Sequence, residues 1–214
     1  MILAALFDLD GTLLDTLADL ADAVNHALSA LGCPRRSMDE IRSFVGNGAV
    51  MLIRRALPQS HAHLEAECLL VFKTYYAAHM DVKTRPYPGI LDMLDELTTR
   101  SIHCAVVSNK FDGAVGPICR KYFGDRVALA IGEKEGVPPK PAPDGCLWTM
   151  EQLGVKPSEA IYVGDSDTDV LTAHNAGLQC VGVSWGFRTR QDLERAGADI
   201  IVDSVDALLD ALRG

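Results

Sequence analysis

Ile2-Leu-Ala-Ala-Leu-Phe-Asp-Leu-Asp-Gly-Thr12 is the stretch on which the reading of this chain turns. An apolar run from Ile2 to Phe7 stops abruptly at an acid. A short run without alternation fits a strand buried on both faces, as in a parallel sheet. Asp8 and Asp10 then stand two apart where the chain leaves the strand. Gly11 permits a tight turn, and Thr12 offers a hydroxyl and an N–H. Ligands of open parallel sheets gather at the carboxyl ends of the strands. The acidic pair is therefore expected to face a crevice.

Downstream of this strand, residues 16–31 repeat their apolar positions at helical spacing, and Gly32 and Pro34 supply the stop. Ser37 and Glu40 carry the capping-box spacing of a short helix. Gly46-Asn47-Gly48 is a turn, with a helix expected from it to Leu57 and another over 61–79. After the stiff Arg85-Pro-Tyr-Pro-Gly89 the pattern changes. Strands are expected at 103–107, 128–131, 160–163, 180–183 and 199–202, alternating with helices at 91–99, 116–122, 144–153, 167–176 and 205–212. Such alternation predicts a parallel sheet covered by helices. The fold class is α/β. Residues 1–15 and 83–214 form a Rossmann-like catalytic core, and residues 16–82 are an inserted α-helical cap. The hinges are expected near Leu14–Thr16 and Val82–Pro86.

With 48% hydrophobic and 23% charged residues, the 214-residue chain has the composition of a soluble globule and can bury a core. A formal charge of −9 argues against nucleic acid as a large partner. A local cation can still admit a small phosphorylated metabolite to a cleft. No apolar stretch is long enough for a bilayer and no basic leader precedes the first strand, so no membrane partner and a cytoplasmic location are expected. Cys33, Cys68, Cys104, Cys119, Cys146 and Cys180 are scattered without a Cys-x-x-Cys pair, and are read as free, mostly buried thiols. His61 and His63 near Cys68 have no regular metal spacing and are read as surface histidines. The oligomeric state leaves no trace in the sequence.

Four polar groups follow predicted strands: Asp8 to Thr12, Ser108-Asn109-Lys110, Lys140 among the prolines of 138–143, and Asp165 to Asp169. Each alone has an ordinary structural explanation as a turn, a cap or a solvated side chain. Together they supply the parts of phosphoryl transfer. The oxygens of a phosphate monoester repel an incoming anion, and a hard dication with oxygen ligands relieves that repulsion. Asp8, the backbone carbonyl of Asp10 and Asp165 can hold Mg2+, with Asp169 as a supporting carboxylate. Asp8 can serve as nucleophile and Asp10 as general acid/base. Thr12, Ser108 and Asn109 can bind the phosphoryl oxygens, and Lys140 can offset the charge of Asp8 and the phosphate.

Read in order, Asp8-Leu-Asp-Gly-Thr12, Val106-Val-Ser-Asn-Lys110, the lysine of Pro138-Pro-Lys-Pro-Ala-Pro143 and Gly164-Asp-Ser-Asp-Thr-Asp169 resemble the motif set of the haloacid dehalogenase superfamily of phosphohydrolases. The resemblance covers essentially the whole chain and implies the same nucleophile, acid/base and magnesium. True dehalogenases lack the second acid, so Asp10 favours phosphate chemistry. Within the superfamily, Phe44-Val-Gly-Asn-Gly48, Arg54-Arg-Ala-Leu57 and Arg85-Pro-Tyr-Pro-Gly89 are similar to the phosphoglycolate phosphatases. Gly46, Asn47, Gly48 and Arg54 are then expected to meet the substrate from the cap, since a glycine-rich turn at a helix start presents N–H groups to an anion. The expected reaction is Mg2+-dependent hydrolysis of a small phosphate monoester, foremost 2-phosphoglycolate, through an aspartyl phosphate. A phosphomutase, or a pyrophosphatase or nucleotidase of the same fold, would use the same acids under a different cap. A non-catalytic phospho-receiver would carry its phosphorylated aspartate after a later strand, where Ser108 stands.

Overall fold

The computed structural model of the chain describes residues 1–213. Its strands are β1 (Ala4–Phe7), β2 (Leu14–Asp15), β3 (Arg85–Pro86), β4 (His103–Phe111), β5 (Leu129–Glu133), β6 (Ala160–Gly164), β7 (Gln179–Val183) and β8 (Ile200–Val202). Its helices are α1 (Leu17–Ala30), α2 (Met38–Phe44), α3 (Gly48–Ala56), α4 (Glu65–His79), α5 (Ile90–Thr99), α6 (Asp112–Phe123), α7 (Asp144–Leu153), α8 (Asp167–Asn175), α9 (Arg190–Ala196) and α10 (Val205–Arg213).

Six strands form one parallel sheet in the order β5-β4-β1-β6-β7-β8. From β1 the chain builds outward through β4 and β5, then returns to the other side of β1 for β6. The carboxyl ends of β1, β4 and β6 therefore flank a topological switch point, where a crevice opens. Side chains alternate across the pleat. Ala5 and Phe7 pack with α5, α6 and α10, while Ala4 and Leu6 pack with α7, α8 and α9. Burial on both faces is why the run from Ile2 to Phe7 shows no polar alternation.

Helices α1 to α4 gather around a separate apolar cluster that includes Leu20, Val24, Leu28, Ile41, Ile53 and Phe72. Ser37 caps α2 with the reciprocal Glu40 bond that the spacing implied. The two links to this block are not loose. Leu14–Asp15 pairs antiparallel with Arg85–Pro86. The Asp19 carboxylate accepts from the Lys83 and Thr84 N–H groups at 2.9 and 2.8 Å.

The observed elements differ from the expected ones in three places. β4 continues to Phe111 instead of stopping at Val107, with a register shift between those residues. Its polar end is held by tertiary partners rather than by a turn. α6 starts at Asp112, whose carboxylate accepts from the Gly132 N–H at 2.9 Å, and carries Pro117 inside it. α9 was not expected at all, although Thr189 and Asp192 form its capping box. All six cysteines are free and buried. Among the described residues, no helix is long and apolar enough to cross a membrane.

Candidate active site

At the carboxyl edge of the sheet, Asp8 ends β1 and its Oδ1 accepts from Lys140 Nζ at 2.8 Å. Lys140 also donates to Asp169 Oδ1 at 2.7 Å and to the Tyr162 hydroxyl at 3.0 Å. Asn109 fixes the lysine from behind. Its Oδ1 accepts from the Lys140 N–H at 2.8 Å and its Nδ2 donates to the Lys140 carbonyl at 3.0 Å. This reciprocal pair joins the end of β4 to the proline-rich loop and places the ammonium under Asp8.

Asp165, just past β6, accepts from Thr12 Oγ1 at 3.0 Å and from the Phe187 N–H at 2.7 Å. Gly11 lies against it. A Cβ at Gly11 would come within 2.5 Å of Asp165 Oδ2, and its φ of +92° suits glycine. Asp169 is the third residue of α8, whose N-cap is Ser166. Its Oδ2 accepts from the Asp165 and Ser166 N–H groups at 3.2 and 3.0 Å and from Ser166 Oγ at 2.6 Å. Lys140 and Tyr162 occupy its Oδ1. Asp169 is thus saturated, whereas no donor among the described residues reaches Asp8 Oδ2.

Asp8, Asp165 and Asp169 are all buried and offer oxygens within 4.8 Å of one another. Burial, with Asp169 and Asp10 nearby, pushes the Asp8 carboxyl up to about 6 against the pull of Lys140. Burial and the charges of Asp169 and Asp8 push Asp165 well above the usual carboxylate range. Burial works against the Lys140 ammonium, but Asp169 and Asp8 outweigh it and hold the group above its usual value. Three carboxylates around one ammonium leave surplus negative charge. A cluster of three carboxylates, an all-oxygen donor set, suits a hard dication such as Mg2+.

The cleft above this floor is lined from the sheet side by Asp8, Asp10, Ser108, Asn109, Lys110 and Phe111. Leu20, Val45, Gly46, Gly48, Ala49, Leu52, Phe72 and Tyr76 line it from the helical block. Both oxygens of Asp10 accept from Lys110 Nζ, at 3.0 and 3.1 Å. Lys110 also donates to the Tyr76 hydroxyl at 2.5 Å.

Of the residues singled out from the sequence, Asp8, Asp10, Ser108, Asn109, Gly46 and Gly48 meet in this cleft, and Lys140, Asp165 and Asp169 lie at its base. The Thr12 hydroxyl is committed to Asp165. Asn47 reaches across to Thr168 Oγ1 at 2.8 Å. Arg54 requires a correction, because it does not line the cleft. It pairs with Glu65 through two 2.8 Å contacts and its side chain is 56% exposed. The pocket-facing positions of α3 are Gly48, Ala49 and Leu52, one helical stripe, and Arg54 falls off that stripe.

Three contributors went unassigned in the sequence. Lys110 belonged to a recognised motif but had no role. Phe187 supplies an N–H to Asp165. Arg188 donates to the carbonyls of Arg42, Ser43 and Val45 at 3.0, 3.4 and 2.6 Å, tying the loop after β7 to the end of α2. The available signal was Trp185-Gly-Phe-Arg188, which follows a predicted strand at the same sheet edge.

The family model for haloacid dehalogenase-like hydrolases matches residues 5–183. A phosphoglycolate phosphatase of Vibrio parahaemolyticus is 37% identical over 218 residues, spanning 96% of this chain and 94% of that one. A phosphoglycolate phosphatase of Pseudomonas putida is 36% identical over 211 residues, spanning 95% and 77%. The crystal structure of a Lactobacillus delbrueckii subsp. bulgaricus protein, provisionally described as a phosphoglycolate phosphatase, superposes with a TM-score of 0.92 at 36% identity over 98% of both chains. Agreement at this length in both sequence and fold makes the chain a member of the haloacid dehalogenase-like hydrolase family.

Proposed function

We propose that this protein is a Mg2+-dependent phosphatase that hydrolyses a small phosphate monoester, foremost 2-phosphoglycolate, through an aspartyl phosphate on Asp8. In this reading residues 1–15 and 83–214 are the catalytic core, and residues 16–82 are a cap that moves about the paired links to admit substrate. The carrying observation is the asymmetry of Asp8, a residue that lines the cleft, with one carboxylate oxygen held by Lys140 and the other free of donors among the described residues. The phosphoglycolate phosphatases among its relatives support the substrate. The free, buried thiols are compatible with a cytoplasmic setting.

The free oxygen of Asp8 attacks phosphorus while the bond from phosphorus to the leaving oxygen breaks. Asp10 gives that oxygen its proton, releasing the alcohol. A water then loses a proton to Asp10 and attacks phosphorus, the bond to Asp8 breaks, and inorganic phosphate departs. Both Asp10 oxygens face Lys110 in the described conformation, so this role requires the Asp10 side chain to turn. Ser108 and nearby N–H groups bind the phosphoryl oxygens, and Asn109 keeps Lys140 in place beneath Asp8. Asp8, the Asp10 carbonyl and Asp165 would hold Mg2+, and Asp169 would support them. The ion supplies positive charge that offsets repulsion between carboxylate and phosphoryl oxygens.

The test is phosphate release in Mg2+ across 2-phosphoglycolate, pyrophosphate, nucleotides and sugar phosphates, compared by kcat/KM. EDTA is expected to silence the reaction and Mg2+ to restore it. Undiminished turnover in chelator would remove the metal. A higher kcat/KM for pyrophosphate or a nucleotide would replace the substrate.

A further inference from the structure

Lys110 is a buried ammonium with no part in the chemistry just described. Its side chain is 3% exposed. Among the described residues that line the cleft, it alone carries a positive charge. Burial disfavours that charge, but Asp10 and Tyr76 more than compensate and hold the ammonium above its usual range. Around it the helical block contributes mainly an apolar wall: Val45, Ala49, Leu52 and Phe72. Those side chains can shape a leaving group but offer it no hydrogen bond.

A second feature points the same way. The first turn of α3 reaches the cleft through Gly48 and Ala49, and Asn47 gives this helix end no side-chain cap; its Nδ2 donates across to Thr168 Oγ1. Gly48 has a φ of +80°, and a Cβ there would meet Glu133 Oε2 at 2.9 Å, so glycine lets the helix start lie this close to the sheet. Uncapped first-turn N–H groups favour an anion. The cleft thus has a phosphoryl site above Asp8 and, on its cap side, a cation beside a helix start.

We propose that Lys110 is a specificity-determining residue. Its ammonium, aided by the first turn of α3, receives a carboxylate on the leaving group, so the enzyme selects phosphate monoesters of small hydroxy acids over those of neutral alcohols. This rests on the phosphatase reading and names the group that chooses the substrate. A carboxylate shielded from water gains an ion-paired hydrogen bond to the ammonium, whereas a carboxamide of the same shape offers it only a neutral acceptor and a weaker bond.

The experiment compares kcat/KM for 2-phosphoglycolate and its carboxamide, equal in size but uncharged, in the wild type, Lys110→Met and Lys110→Gln, with Mg2+ present. The wild type is expected to prefer the acid by roughly 10- to 100-fold, the scale of one hydrogen bond to a charged group. Both variants should bring that ratio close to one, and Lys110→Arg should restore part of it. Gln keeps a donor for Tyr76 and Asp10, so it reads the charge with the local contacts least disturbed. A wild type that turns over both esters equally well overturns the inference while leaving the phosphatase standing. Variants that lose the same factor on both esters also overturn it, because Lys110 would then act only by positioning Asp10. A wild type that hydrolyses neither ester but releases phosphate from pyrophosphate, nucleotides or sugar phosphates overturns this inference and leaves the phosphatase standing, whereas one that releases phosphate from none of them overturns the phosphatase reading, and this inference with it.

Discussion

On the floor of the cleft, Lys140 binds Asp8, Asp169 and Tyr162, all held by the sheet and the helix α8. On its cap side, Lys110 binds Asp10 from the sheet and Tyr76 from α4. Both are buried lysines next to an acid and a tyrosine, but the first sits within one rigid layer and the second bridges a seam. Asn47 to Thr168, Asn109 Nδ2 to the Gly46 carbonyl, and Arg188 to the carbonyls of α2 and the residue after it cross the same seam. The residues proposed to handle the phosphoryl group therefore all lie outside the helical block, whereas the contacts proposed to meet the leaving group exist only when the two parts are together. Floor variants should change turnover of every substrate. Seam variants should change which substrate is preferred and how the block moves.

The sharpest break of this comparison is Asp8→Asn. It is expected to lower kcat by on the order of 10⁴-fold or more, the scale of losing a nucleophile, for every ester in a phosphate-release assay. Its thermal melt should stay cooperative, and substantial turnover in this variant would dismiss Asp8. Lys140→Ala comes next. It should cost about 10²–10³-fold in kcat through the lost charge, and about 3–5 kcal/mol of stability because Asp8 and Asp169 are left buried beside one another. Urea unfolding checks the second effect, and an unchanged midpoint would mean the floor is not the closed network described. At the seam, Arg188→Ala should raise hydrogen exchange of the α2 amides by roughly tenfold, the equivalent of one lost bond of about 1.4 kcal/mol. Unaltered protection would show that Arg188 does not hold the block. The smallest effect belongs to Arg54→Ala. Its exposed pair with Glu65 lies outside the cleft, and kcat/KM is expected to stay within about twofold. A tenfold loss there would return Arg54 to the site.

The contrast between floor and seam also marks how far the residues alone could be read. The floor residues are short polar groups that follow strand-forming apolar runs, and a parallel sheet brings all such ends to one edge. Asp8, Lys140, Asp165 and Asp169 could therefore be assembled before any coordinates, although 132 positions separate the first two. Arg54 and Lys110 lie elsewhere than their sequence neighbourhoods suggest, in opposite directions. Arg54 drew attention as an exposed charge beside a glycine-rich turn, yet its place on α3 turns it toward Glu65. Lys110 looked like the tail of a strand-end turn, yet β4 carries it on into the cleft, where Asp10 and Tyr76 bury it.

Sequence alone thus determined the α/β class and the polar strand ends that meet at one edge of the sheet, because periodicity and strand-end chemistry are local properties written every two to four residues. Only the tertiary structure decided which way Asp10 faces, which helix stripe lines the cleft and what crosses the seam between the two parts. Those depend on the packing angle between bodies distant in sequence, and that angle is set by many small contacts no single segment encodes.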